Sequence, residues 1–272
     1  MFSVITPSFR GGEWLRLCLA SVADQQVPLE HIVQDAGSDD GTLNWLLSDA
    51  RVKPFVEKDQ GMYDALNRGF QRAQGQLAAW LNCDEQYLPG TLGRVCAWFD
   101  THPDVDVLFG DVVMVDPEGN YVSHRKMQVP RLYHTWTCHL STLSCAMFFR
   151  RSLVSERGYV FDPKLRAGGD GEWMVRLLRD GVRMGTLNEF TSVFTRTGRN
   201  LGSAPAAARE ARELRRTAPA WARILRPFIV GHHRTRRLLG GMYSQRPFSY
   251  EIYTRHTAES RTSFRVARPR FR

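Results

Sequence analysis

The sequence predicts an α/β fold: a mostly parallel sheet flanked by helices, followed by a basic, largely helical C-terminal extension. Three observations carry this. Short β-rich runs alternate with stretches whose apolar residues recur at helical spacing through the first hundred residues. Three polar segments, Thr6-Pro7-Ser8, Asp35 and Asn82-Cys83-Asp84-Glu85, close such runs. Charge is also divided: Arg196–Arg272 holds 18 Arg and 4 Glu with no Lys or Asp, a net +14, whereas residues 1–195 net −5.

The elements follow in order. FSVITP (2–7) is a short strand stopped by proline, and residues 12–26 place Trp14, Leu15, Cys18, Leu19 and Val22 on one helical face. HIVQD (31–35) is a second strand, and AGSDDGT (36–42) is a loop rich in glycine and helix-capping residues. A helix over 42–50, a strand over 53–57 and a helix over 62–73 come next, with Gly75 as a stop. Residues 77–81 form the fourth strand and 92–99 the next helix. Beyond these, 104–126 reads as a long strand, a turn at 117–120 and a return strand. Residues 142–151 read as a strand, and 167–181 as a Gly-rich loop running into a helix. Alternation of this kind gives a parallel sheet wrapped by helices, and such sheets bind ligands beyond the carboxyl ends of their strands. All three polar endings fall on that edge, so adjacent acids that an interior strand would exclude face a ligand or cation there.

The 272 residues, 43% of them hydrophobic, suffice for one core of about 200 residues and an appendage. No apolar run reaches the ~18 residues of a membrane span, and the first residues lack the basic start of a signal peptide. Cysteines 18, 83, 96, 138 and 145 form no C-x-x-C pair, which fits reduced thiols. A cytoplasmic location is therefore expected, with peripheral contact on the inner face of the cytoplasmic membrane as an extension of it.

SVITPSF (3–9), IVQDAGSDDGT (32–42), EKDQGMYDALNRG (57–69) and LNCDE (81–85) together resemble the signature blocks of glycosyltransferase family 2. FFRRSLVSERGYVFDPKLRAGGDGEWMVRL is similar to the acceptor-side half of such enzymes, especially bacterial ones that build surface polysaccharides. The resemblance covers residues 3–197. It implies a Rossmann-like GT-A domain over 1–197, with a nucleotide-binding half (1–100), an acceptor-side half (101–197) and a basic extension (198–272). It also implies a nucleotide-sugar donor, a divalent metal (Mn²⁺ or Mg²⁺), and inversion at the anomeric carbon.

Residue by residue, the resemblance has Thr6, Pro7 and Ser8 line the base and ribose, and has Asp35 accept the imide N–H of uracil or thymine. The alternative for Asp35, behind nucleotide binding, is a cap on the following turn. Gly37, Asp59, Gly61, Asp64, Asn67 and Asn82 join the nucleotide-sugar set, Gly61 by allowing close backbone approach. Asp64 and Asn67 also fit plain helix packing. Asp84 would face ribose or metal and Glu85 the metal, since a cation must separate carboxylates from a diphosphate. Asp170 matches the catalytic base and Glu172 is the fallback, although Asp170 also suits an N-cap. His139 is a weaker metal candidate that also reads as an ordinary histidine. Trp173 would stack an acceptor sugar or fill the core, and Cys83 is a buried filler.

Residues 211–241 mix arginines with Trp221, Ile224, Leu225, Phe228, Ile229 and Leu238. Such a segment suits a helix lying on an anionic membrane, or one packed on the body with a solvated basic face. The expected function is transfer of a sugar from a nucleotide-diphosphate donor, UDP-sugar favoured, to a saccharide or lipid-linked saccharide. The rivals are a nucleotidyltransferase-like enzyme, for which GGEWLR lacks the extended basic glycine pattern, and a non-enzymatic membrane- or RNA-binding protein. The latter leaves Asp84, Glu85 and Asp170 unexplained. With no stacking platform among the arginines, nucleic acid is not an expected partner.

Overall fold

The computed structural model describes residues 1–198 and 200–271. The chain begins β1 (Phe2–Ser8), α1 (Gly12–Ala23), β2 (Leu29–Asp35), α2 (Leu43–Leu46), β3 (Lys53–Val56), α3 (Met62–Arg72) and β4 (Leu77–Trp80). It continues β5 (Glu85–Tyr87), α4 (Thr91–Thr101), β6 (Val107–Val115), β7 (Tyr121–Arg125), α5 (Leu132–Thr137), β8 (Met147–Arg150), α6 (Ser152–Ser155), α7 (Gly169–Arg179) and β9 (Met184–Thr195). It closes with α8 (Pro205–Arg216), α9 (Ala220–Ile224), α10 (Arg226–Leu239), β10 (Phe248–Thr254) and β11 (Thr257–Val266).

The large sheet runs β3-β2-β1-β4-β8-β6-β9-β5, with β7 on the flank of β6. The first four strands are mutually parallel. Their register sets Ser8 beside Asp35 and Ile5 beside Trp80, so Asn82–Glu85 emerge on the same edge as the ends of β1 and β2. β8 runs antiparallel between β4 and β6, and β6 pairs β9 in parallel. β4 is buried at every residue because helices cover both faces, hence its unbroken apolar run. Beneath the edge lies an aromatic block in which Phe161 packs 5.3 Å from Trp80 and 5.2 Å from Trp173 between ring centroids.

Several elements depart from the sequence expectation. The helix expected over 42–50 is a single turn, because Asp49 turns back on the backbone N–H and guanidinium of Arg51. The strand expected over 142–151 is confined to Met147–Arg150, preceded by a 3₁₀ turn at Ser144–Ala146. β5 and β9 have no counterpart in the sequence reading. The extension does carry helices over 205–239, but it ends in an antiparallel hairpin, β10–β11, that was not anticipated.

That hairpin is packed down. Tyr250, Ile252 and Val266 form a small core with Val113, Val115 and Val193 of the large sheet. Gln86 and Tyr253 exchange two hydrogen bonds at 2.9 Å, one through each end of the glutamine amide. Arg261 grips both carboxylate oxygens of Asp24 at 2.6 and 2.7 Å. Bidentate pairing of this kind fixes orientation as well as position.

Candidate active site

A cleft of about 1550 Å³ opens at the carboxyl edge of the parallel strands. Pro7, Ser8, Phe9 and Ala36 line one side, Lys58, Asp59 and Gly61 the next, and Asn82, Cys83 and Asp84 the floor. Arg125, Asp170, Arg196 and Asn200 reach it from beyond residue 100. The alternation of strand and loop that the sequence displays therefore converges on one crevice.

Asp84 sits in the turn between β4 and β5, where its Oδ2 accepts a 3.0 Å hydrogen bond from the Asn200 amide. Burial holds its carboxyl above the usual range. Glu85, expected to take a metal, is turned inward. It is 1% exposed and forms the first residue of β5, and its Oε2 accepts the backbone N–H of Asn82 at 2.8 Å. Its Oε1 has no partner among the described residues, and burial, then the charge of Asp84, pushes its carboxyl up to about 8. The adjacent acids thus differ: Asp84 meets the cleft, and Glu85 stands behind it.

The Asp35 carboxylate is fully buried and saturated. Ser8 Oγ and Ser38 Oγ donate to Oδ2 at 2.7 and 2.8 Å, and the N–H groups of Gly37 and Ser38 donate to Oδ1 at 2.9 and 2.7 Å. These four bonds match the turn-cap alternative, and Asp35 is not among the residues lining the cleft. Thr6 is likewise buried, bonded at 2.9 Å to His31 Nε2. Gly37 supports the Asp35 turn at a positive φ of 93°.

Asp59 lines the cleft and accepts the N–H of Gly61 at 2.8 Å, its carboxyl raised by burial. Gly61, at φ 127°, opens α3 in a backbone conformation that side chains rarely adopt, with Arg166 Nη1 2.7 Å from where a Cβ would lie. Asp64 and Asn67 lie outside the cleft. Asp64 pairs with Arg68 at 2.8 Å, and the Asn67 amide clamps the backbone of Phe161 through bonds of 2.8 and 2.9 Å. Both follow the packing alternative.

Asp170 lies in the first turn of α7, in the cleft wall. Its Oδ1 accepts the Gly171 N–H at 2.8 Å, while its own N–H donates to Tyr63 Oη at 3.3 Å. Burial raises its carboxyl. A Cβ at Gly169 would press to 2.8 Å on the Tyr63 ring, so glycine lets this tyrosine sit under the loop. Glu172 points elsewhere, paired with Arg176 at 2.8 Å, and does not line the cleft. Trp173 is buried in the aromatic block with its indole N–H donating to Tyr159 O at 2.7 Å, the core alternative. Exposed His139 packs edge-on to His134 away from the cleft, and burial holds the Cys83 thiol up to about 12.

Sequence reasoning missed Tyr63, Asn200 and Glu210. Glu210, on α8, is 6% exposed and accepts the N–H groups of Arg166, Ala167 and Gly168 at 2.8, 3.0 and 2.8 Å. These donors belong to the loop that presents Asp170, so the extension holds part of the cleft in place. As the first of two glutamates in AREARELRR, Glu210 carries no motif, and only proximity in space identifies it.

The residues present accommodate a divalent cation. Among the described residues no group of three or more His, Cys, Asp or Glu side chains forms a cage. A hard cation bridging a diphosphate needs no cage; one or two carboxylates with phosphate oxygens and water suffice. Asp84 supplies such a carboxylate at the cleft floor, with the buried Glu85 standing behind it.

Comparison with known proteins agrees with this architecture. A PGL/p-HBAD biosynthesis glycosyltransferase of Mycobacterium bovis is 32% identical over 184 residues, spanning 65% of this chain and 69% of its own. The structure of S. aureus TarS 1–349 with UDP-GlcNAc superposes with a TM-score of 0.63 at 21% identity, over 78% of this chain and 64% of that one. The mannosyltransferase PcManGT of Pyrobaculum calidifontis, in complex with GDP-Man and Mn²⁺, gives 0.57 at 19% identity over 78% and 60% of the two chains. At these identities the structural likeness shows the fold. This chain spans slightly less than two thirds of either solved chain. The model of glycosyl transferase family 2 matches residues 3–158, more than half of the sequence, so the chain belongs to that family and is a glycosyltransferase.

Proposed function

We propose that the protein transfers a sugar, with inversion, from a nucleotide-diphosphate donor to a saccharide or lipid-linked saccharide acceptor in surface-polysaccharide synthesis. A UDP-sugar is the favoured donor. The observation that carries the reading is that Asp84, at the end of the parallel half, and Asp170, at the start of α7, line one cleft. The UDP-GlcNAc complex of TarS supports a UDP-sugar donor, and the name of the mycobacterial relative supports glycosyl transfer in a biosynthetic route.

In this reading residues 1–100 hold the donor and 101–197 present the acceptor, with 198–272 bracing the second half. Pro7, Ser8 and Ala36 flank the base. Phe9, 56% exposed at the cleft mouth, offers a ring face for stacking. Lys58 and Arg196 line the cleft with no acidic partner among the described residues, suiting them to diphosphate oxygens. Asp84 would hold a divalent cation, Mn²⁺ or Mg²⁺, which supplies charge stabilisation to the departing diphosphate. Asp170 accepts the acceptor hydroxyl's proton as that oxygen bonds to the anomeric carbon and the bond to the diphosphate breaks on the opposite face. Tyr63 Oη, donating to Asp170 Oδ1 at 3.5 Å, and the Glu210-held loop fix the direction of the Asp170 carboxylate.

Titration calorimetry with UDP, with and without Mn²⁺, tests the donor site. Metal-enhanced binding is expected, and equal or absent binding in both arms overturns the reading. A panel of UDP-sugars scored for hydrolysis then names the sugar.

A further inference from the structure

The extension carries a second surface, remote in chemistry from the cleft. α9 and α10 leave a row of large apolar side chains in solvent: Ile224 and Phe228 are each 76% exposed, Leu238 67% and Leu239 81%. Positions 224, 228, 231, 235 and 238 recur at helical spacing across the break between the helices, so the apolar residues at its two ends share one stripe, which Gly231 and Thr235 continue between them. Trp221, 48% exposed, extends it at one end. With Val129, Pro130 and Tyr133, the residues Trp221, Leu225 and Phe228 also wall an apolar groove of about 760 Å³.

The charge around the stripe has one sign. From Leu214 to Tyr250 the sequence has eight arginines and no Asp, Glu or Lys. Arg216, Arg223, Arg226 and Arg234 are exposed, and the described residues provide none of them with an acidic partner. A stripe of bulky apolar residues bordered by arginines matches a surface that is apolar within and anionic at its face. A second copy docking face to face would instead bring these arginines together with no acid of the same segment to offset them.

We propose that α9–α10 is a docking face for an anionic lipid bilayer, with Ile224, Phe228, Leu238 and Leu239 entering the interface and the neighbouring arginines meeting lipid phosphates. The groove gives room for a bilayer acyl chain beside Trp221. The placement is useful to the cleft: α10 is bound to the segment after β7 by Arg236 Nη2 to Val129 O and Arg237 Nη2 to Lys126 O, both 3.3 Å. That segment leaves directly from Arg125 in the cleft wall. Docking therefore sets the acceptor side of the cleft beside the lipid surface.

The test is flotation of the full chain with vesicles, without donor or acceptor, so its failure is separable from failure of the glycosyl-transfer reading. Binding is expected to vesicles of phosphatidylcholine with about 30 mol% phosphatidylglycerol, falling about tenfold or more on raising salt to about 0.5 M. Vesicles of phosphatidylcholine alone bind far less. The double substitution Ile224→Asp/Phe228→Asp, at two solvent-exposed positions, should lower anionic-vesicle binding at least about tenfold while leaving UDP calorimetry unchanged. Absence of wild-type binding at low salt, or full binding by the double variant, overturns the proposal. So does a concentration-dependent dimer that the same substitutions abolish without any vesicle binding, because a second copy would then cover the stripe.

Discussion

Glu210 Oε2 accepts the backbone N–H of Gly168 at 2.8 Å, across 42 residues of sequence, and its two oxygens together hold three consecutive amides. A glutamine there presents one acceptor oxygen and turns an NH₂ toward donors. Bonds to a charged carboxylate contribute about 1.5–3 kcal/mol. Glu210→Gln is therefore expected to lower kcat by about tenfold while UDP affinity, read by calorimetry, stays within about twofold. An equal fall in UDP affinity would show that the loop serves the donor as well.

Asp170→Asn removes the carboxylate proposed to take the acceptor proton, and transfer should fall about 10²- to 10⁴-fold. Glu172→Gln, breaking only the pair with Arg176, should stay within about threefold. The base must be charged to act, and burial raises the Asp170 carboxyl. Activity should consequently rise with pH along a limb displaced above the ordinary aspartate range of about 3.9, as a kcat/KM profile would read. A limb that survives Asp170→Asn unchanged would assign the base elsewhere.

Asp84→Asn and Glu85→Gln separate the adjacent acids. Only Asp84 lines the cleft, so its replacement should abolish the Mn²⁺-dependent part of UDP binding, a loss of about tenfold or more. Glu85→Gln should retain most of it. The reverse ranking would place the cation on Glu85.

The parallel half was legible because its signals are local. Strands β1 and β2 end on polar residues and β4 leads into Asn82–Glu85, and register alone then gathers those ends. Asp35 shows the limit: its sequence context is the same whether the carboxylate faces a base or caps a turn, and four donors decided for the cap. Glu85 was misassigned as cleft-facing because β5, three residues long, is too short to display alternation. The hairpin is different. Tyr250, Ile252 and Thr254 are buried, alternating with exposed Ser249 and Glu251 and half-buried Tyr253, a signal obscured by the arginine-rich composition around it. Glu210 was illegible in principle, since its partners are backbone amides 42 to 44 residues away.

The buried Glu85 also predicts how stability responds to pH. Its carboxyl is raised from an ordinary 4.5 to about 8, so the folded chain holds this proton more tightly than the unfolded chain. The stabilisation is complete below about pH 4.5 and is lost as pH climbs through about 8, at no more than about 1.4 kcal/mol per pH unit. Glu85→Gln keeps a neutral side chain at every pH. Its thermal midpoint, followed from pH 5 to 9 without metal, should therefore decline less steeply than that of the wild type. The slope rather than the height is diagnostic, because the new NH₂ group lacks an acceptor and lowers both ends of the curve alike. Asp84 is the second cause of the Glu85 shift, so neutralising its charge with Mn²⁺ and UDP should flatten the wild-type curve as well. Parallel curves for wild type and variant would mean that Glu85 is already ionised in the folded chain, held by a cation or water that the burial of Oε1 leaves out.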